Sequence, residues 1–206
     1  MLNLAPQDGE VYYLPAFVPP GECDEFMATL LRELDWQEEE IVIAGRTVKV
    51  PRLTCWYGDA GAFYRYSGVS HRPKPWTKSL RILKARIEQA CERPFNSVLG
   101  NLSQDGQDSM GWHADQEREL GPNPFIASFS LGEQRLFKLQ HKKSRASLDL
   151  NLESGSLLLM GGSLQHHWRH CLPKTRAPKT QRINLTFRTV LPPSNKGESD
   201  GKSHSV

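Results

Sequence analysis

In "MGWHADQERELG", residues 110–121, a histidine and an aspartate stand two positions apart, His113 and Asp115. Alternate residues of an extended chain face the same side, so both side chains can close on one ion. One imidazole and one carboxylate make an incomplete site, and H-x-D alone also describes an ordinary polar turn. A third ligand is on offer further along, in "QHHWRHCLP", where His166, His167 and His170 follow the glycine-punctuated "GSLLLMGG". Two histidines and one carboxylate on one face of an ion form the facial triad of non-haem Fe(II) oxygenases. That arrangement leaves positions for a bidentate co-substrate and O2. Zinc carrying a water is the rival metal.

A second pattern could supply the co-substrate's partner. In "RINLTFR" the side chains alternate: Arg182, Asn184, Thr186 and Arg188 point one way, and Ile183, Leu185 and Phe187 the other. A polar strand face can simply meet solvent. If it points into the mouth of a barrel, two guanidiniums need anionic partners there, which a small dicarboxylate would provide. Unpaired charge would otherwise be costly to desolvate.

These groups have to be held by something. After an extended start, "EVYYLPAFVPP", the stretch "GECDEFMATLLRELDW" sets Cys23, Phe26, Met27, Leu30 and Leu34 at helical spacing. A second amphipathic helix follows in "PWTKSLRILKARIEQACE", with Thr77 or Ser79 as the cap and Leu80, Leu83, Ile87 and Cys91 as the apolar stripe. Between them, "IVIAGRTVKVPRLTCWYG" reads as a β-hairpin turning at Gly45, followed by the aromatic run "FYRYSG". Beyond residue 95 come short β-prone runs broken by Gly, Pro, Asn and Asp: "FNSVLGNL", "FIASFSL", "QRLFKLQHK", "ASLDLNL", "GSLLLMGG" and "QRINLTFRTV". Their close spacing predicts a sandwich or jelly roll covered by the two helices. The tail "PPSNKGESDGKSHSV" is nearly free of apolar residues and is expected to be disordered.

The 206 residues suit one domain, with 38% hydrophobic and 24% charged residues in the usual globular range. No apolar run is long enough for a membrane span, and the first residues lack a signal-peptide pattern, so an intracellular location is expected. Four scattered cysteines suggest neither a disulfide framework nor a zinc ribbon. Charge is uneven. Residues 1–40 hold ten Asp or Glu against Arg32, whereas residues 134–190 hold eleven Lys or Arg against Asp149 and Glu153. A basic second half could neutralise phosphates, although a solvated basic surface has the same composition.

Three stretches together, "MGWHADQERELGPNPFIASFSLGEQRLFKL", "GSLLLMGGSLQHHWRHCLP" and "RINLTFR", resemble the AlkB family of Fe(II)- and 2-oxoglutarate-dependent nucleic-acid dealkylating dioxygenases. The similarity runs from about Pro51 to Val190, and "YGDAGAFYRYSG" with "PKPW" is similar to the subgroup acting on alkylated bases. The resemblance implies an α+β fold: a double-stranded β-helix (jelly roll) core over about 95–190, helices packed on one side, and an N-terminal β-hairpin nucleotide-recognition lid over about 40–75. It implies one domain over 1–192 and a tail over 193–206. It assigns His113, Asp115 and His170 to Fe(II), and Asn101, Arg182, Thr186 and Arg188 to 2-oxoglutarate, with O2 as second co-substrate. Arg52, in a loop approaching the duplex, Tyr64 and Tyr66, stacking on the base, and Glu117, facing the damaged ring, would bind substrate.

The implied reaction removes N-methyl groups of the 1-methyladenine and 3-methylcytosine type from DNA, or from RNA, as formaldehyde. The implied protein works as a monomer on nucleic acid, away from membranes, in the cytoplasm of a bacterium or the nucleus of a eukaryote. Two alternatives stay open: hydroxylation of protein or modified RNA, and a non-catalytic reader of modified nucleic acid. The chain departs from the family pattern at Ser103, where a tyrosine usually donates to 2-oxoglutarate. A missing hydrogen bond to a charged group is worth about 1.5–3 kcal/mol, so weaker co-substrate binding is expected.

Overall fold

A computed structural model describes residues 1–192 apart from 44, 63, 67, 68 and 178. Of 41–43, 48, 50, 51, 64–66 and 69–71 it describes the backbone alone. Strands β1 (Glu10–Leu14), β2 (Gln37–Ile43) and β3 (Arg46–Gly58) frame helix α1 (Pro20–Glu33) in the first part of the chain. The short hairpin β4 (Tyr64–Tyr66) and β5 (Val69–His71) precedes helix α2 (Lys78–Cys91). Then come β6 (Ser97–Ser103), β7 (Met110–His113), β8 (Ile126–Gly132), β9 (Arg135–His141), β10 (Ser147–Leu152) and β11 (Leu157–Gly161). The one-turn helix α3 (Leu164–His167) leads into β12 (Trp168–Leu172), and β13 (Arg182–Arg188) closes the described chain.

Among the described residues the strands form a seven-stranded sheet, β1-β11-β8-β13-β6-β3-β2, a four-stranded sheet, β10-β9-β12-β7, and the two-stranded β4-β5. All the pairings are antiparallel. This is the jelly-roll architecture expected from the sequence, with both long helices on one side. The period-two pattern of β13 explains why. Ile183, Leu185 and Phe187 join Ala127, Phe129, Leu131, Leu157 and Leu159 on the outer face of the large sheet, where Leu30 of α1 and Leu80, Leu83 and Ile87 of α2 cover them. Burying each such side chain contributes about 1.5–3 kcal/mol. A second apolar cluster, Val11, Ile126, Leu139, Leu152, Leu158, Met160 and Trp168, fills part of the space between the two sheets.

Of the two capping candidates, Thr77 is the one used: its hydroxyl accepts the Leu80 N–H at 3.3 Å. The predicted hairpin is present, with Gly45 at φ 77° in its turn, a conformation that favours glycine. Its second arm does not stay in a separate lid, because residues 53–58 of β3 pair with β6 inside the large sheet. Residues 193–206, expected to be disordered, lie outside the described residues. Among the described residues no helix is long and apolar enough to cross a membrane.

Candidate metal and co-substrate site

The short strands β7 and β12 make the decisive pairing. His113 and His170 are direct cross-strand partners, so their rings project to the same face of the small sheet, with centroids 4.3 Å apart. Asp115 follows two residues after His113 on the same side. One ligand atom from each of the three lies within 4.8 Å of the other two. The Asp115 Oδ1 is 3.6 Å from Nε2 of His113 and 3.9 Å from Nε2 of His170.

The surroundings fix the chemical form of each ligand. The Gly111 carbonyl can only accept, so the 2.8 Å contact places a proton on Nδ1 of His113 and turns Nε2 toward the cluster. Burial holds the His170 imidazole down at about 3, against the opposing pull of Asp115, so it is a neutral ligand at physiological pH. The ring of Phe137 stacks beside it at 5.3 Å. For Asp115, burial acts to raise the carboxyl, and the Arg188 guanidinium, with the two imidazoles beside it, outweighs that, leaving about 2. Its Oδ2 is taken by Arg188, at 2.6 Å from Nη2 and 3.2 Å from Nε, which turns Oδ1 toward the histidines. Two imidazoles and an ionised carboxylate are the donor set of an Fe(II) facial triad, and the residues fit that ion.

At the other end of β13, Arg182 is 4% exposed. Its Nη2 donates to the Ser130 hydroxyl at 2.9 Å, and its Nε has no partner among the described residues. Burial, with the nearby Arg135 charge, lowers its pKa to about 9, still above neutrality. It is therefore a buried cation without a carboxylate, costly unless an anion completes it. Small hydroxyl side chains share its face: Ser103 is its partner on β6, and Ser130 and Ser128 stand on β8.

The remaining predicted residues fall in several places. Thr186 donates to Asn184 Oδ1 at 3.1 Å, and Asn184 in turn donates to Ser128 Oγ at 2.8 Å, along the same inner face. Asn101, paired in register with Asn184, accepts from Nε of Arg52 at 2.6 Å. The expected loop position of Arg52 is corrected here. It lies within β3, and its guanidinium also reaches the Ser109 carbonyl, because the strand pairing turns it toward β6. Glu117 leads into a single 3-10 turn at 118–120, and its buried Oε2 has no hydrogen-bond partner among the described residues. Tyr64 and Tyr66 have their backbone in β4, and their side chains lie outside the described residues.

Asn184, which the alternation of β13 sets on the same face but which carried no assigned role, also belongs to this wall. The sequence reading missed Gln165, whose Oε1 accepts the backbone N–H of Asp115 at 2.9 Å in the buried interior. No spacing rule links α3 to residue 115.

Residues 10–188 match the 2OG-Fe(II) oxygenase superfamily. The chain is 37% identical over 202 residues to human alpha-ketoglutarate-dependent dioxygenase alkB homolog 3, covering 93% of this chain and 70% of that protein. It is 39% identical over 183 residues to the mouse DNA oxidative demethylase ALKBH2, covering 84% and 77%. Among solved structures, that of OsALKBH1 superposes with a TM-score of 0.62 at 17% identity, over 87% of this chain and 97% of that one. An oxidoreductase of the 2OG-Fe(II) oxygenase family from Burkholderia pseudomallei gives 0.59 at 16% identity, over 86% and 84%. At those identities the two structures speak for the fold.

Proposed function

This chain belongs to the 2OG-Fe(II) oxygenase superfamily, and from that premise we propose that it demethylates N-alkylated bases in DNA. The observation that carries the reading is the pairing of one donor set for Fe(II), its Asp115 and His170 buried, with one buried cation, Arg182, that lacks a carboxylate among the described residues. Its relatives in sequence include a DNA oxidative demethylase, which supports DNA as the substrate.

In this reading His113, Asp115 and His170 hold the metal, and Arg182 takes the distal carboxylate of 2-oxoglutarate. Arg188 keeps Asp115 ionised and aimed, while Asn101 and Thr186 line the co-substrate channel. Bound together, Fe(II), 2-oxoglutarate and O2 supply the oxidising chemistry that hydroxylates an N-methyl carbon, which leaves as formaldehyde. The protein's own contribution is placement. The target base must leave the stack at a cost of a few kcal/mol, and stacking on Tyr64 and Tyr66 would return about 1–3 kcal/mol. The Glu117 carboxylate, with a buried oxygen lacking a donor, favours a cationic ring such as 1-methyladenine or 3-methylcytosine. Arg52, tied to Asn101, couples the substrate side to the co-substrate wall.

Residues 1–192 act as one catalytic domain, monomeric and intracellular. A competition assay between DNA and RNA oligonucleotides of identical sequence and lesion tests the substrate. Faster loss of the methyl mass from DNA is expected, and preference for RNA would contradict it. His113→Ala should abolish turnover while retaining oligonucleotide binding. Persistent turnover would remove the oxygenase mechanism.

A further inference from the structure

Gln165 does more than hold the Asp115 backbone. Because an N–H must find an oxygen, the Asp115 bond fixes which end of the Gln165 amide is which, and so fixes the aim of its Nε2. Gln165 is 1% exposed, and this Nε2 has no hydrogen-bond partner among the described residues. It lines a cleft of about 310 Å³ whose wall includes Asp115, Arg118, Pro122, Pro124 and His166. The His166 ring meets the Pro122 carbonyl and braces that wall. A buried donor with a fixed direction calls for an acceptor in front of it.

We infer that this cleft binds the nucleotide next to the target base in the substrate strand, Gln165 Nε2 donating to an acceptor on its base edge. A nucleobase offers flat faces for the proline rings and acceptor atoms on its edge. Arg118 brings positive charge to the rim, suited to the connecting phosphate. The volume lies at the small end of ligand pockets and admits one nucleotide rather than a longer segment. Asp115, a residue of the candidate metal cluster, also lines the cleft, so an occupant there adjoins the reaction site. Gln165 is thereby a determinant of sequence context, an inference that rests on the demethylase reading above.

The test measures kcat/KM on single-stranded oligonucleotides carrying one 1-methyladenine, with each neighbour varied among the four bases and an abasic site. An abasic site on one side should lower kcat/KM about tenfold, the order of one lost stacking contact. Gln165→Glu keeps an oxygen for the Asp115 N–H and removes the donor. It should erase the preference among the four bases while Mn(II) affinity, read by titration, stays within about twofold of wild type. Should that variant lose Mn(II), Pro122→Gly, which leaves the Asp115 bond intact, must shrink the abasic effect instead. Equal kcat/KM in every context, the result for a cleft holding only water, overturns the inference, as does an unchanged preference in both variants. Absence of turnover on every strand marks failure of the demethylase reading itself and removes both.

Discussion

Two triplets of histidine and aspartate sit on the small sheet, one at His113, Asp115 and His170 and one at Asp8, His141 and His167, and both meet the same distance criterion. They lie on neighbouring strands, since His141 of β9 is the partner of Trp168 of β12, two residues from His170. What separates them is the other nitrogen of each ring. His113 donates from Nδ1 to a carbonyl and so offers Nε2 to a metal. His141 accepts at Nδ1 from the N–H groups of Lys143 and Ser144, at 3.3 and 3.0 Å. Its proton is therefore on Nε2, which donates to Asp8 Oδ2 at 3.2 Å. The second triplet is a hydrogen-bonded clasp. It ties the N-terminal segment to β9, together with the Trp168 bond to the Gln7 carbonyl at 2.8 Å. Proximity collects candidates for a metal, and the backbone around each ring decides between them.

The largest effect that could break this distinction is on the first triplet. Asp115→Ala should remove bound Fe(II) and reduce demethylation to background. It also leaves Arg188 buried without its anion, a loss of about 3–5 kcal/mol, so folding is to be checked by circular dichroism. Next, Arg188→Gln keeps the ligands and loosens the aim of Asp115. Metal affinity, measured by Mn(II) titration, should fall about 10–100-fold, and an unchanged affinity would show that the pairing does not orient the carboxylate.

A smaller effect appears in pH. His170 stands at about 3 in the fold and near the ordinary 6.5 when unfolded, so the unfolded chain takes up the proton first on acidification. The contribution of neutral His170 is present above about 6.5 and is lost as pH falls toward 3. Asp115, lowered from 3.8 to about 2, adds a loss in the same direction further into acid. Metal-free protein should therefore melt several degrees lower at pH 5 than at pH 7, with a flatter slope in His170→Gln. Smallest of all, Asp8→Asn in the second triplet should leave metal stoichiometry and demethylation unchanged and cost no more than about 1 kcal/mol of stability. Reduced metal content in that variant would erase the distinction between the clusters.

Much of the first triplet was readable because period two is a local rule: it put His113 with Asp115, and Arg182 with Arg188, on single faces. The helices were equally plain, since the stripes at Leu80, Leu83 and Ile87 repeat with helical period. The choice of His170 over His166 and His167 was not readable from spacing. It depends on β12 pairing with β7, two strands of five and four residues with little pattern of their own. The resemblance to a family supplied that choice. The partners of Arg188 and Arg52 escaped for the same reason, as each crosses between strands far apart in sequence. Gln165 escaped because its role comes from where α3 ends relative to residue 115.

If His113, Asp115 and His170 together hold one ferrous ion that the reaction uses, iron content and turnover rise and fall together. Anaerobic reconstitution with Fe(II) and 2-oxoglutarate, followed by admission of O2 and mass spectrometry of a 1-methyladenine oligonucleotide, measures both. One iron per chain and loss of the methyl group in step with succinate are expected, both absent from a folded His170→Ala variant. Iron binding and demethylation that survive in that variant, or one full iron per wild-type chain with no methyl loss, would contradict that assignment.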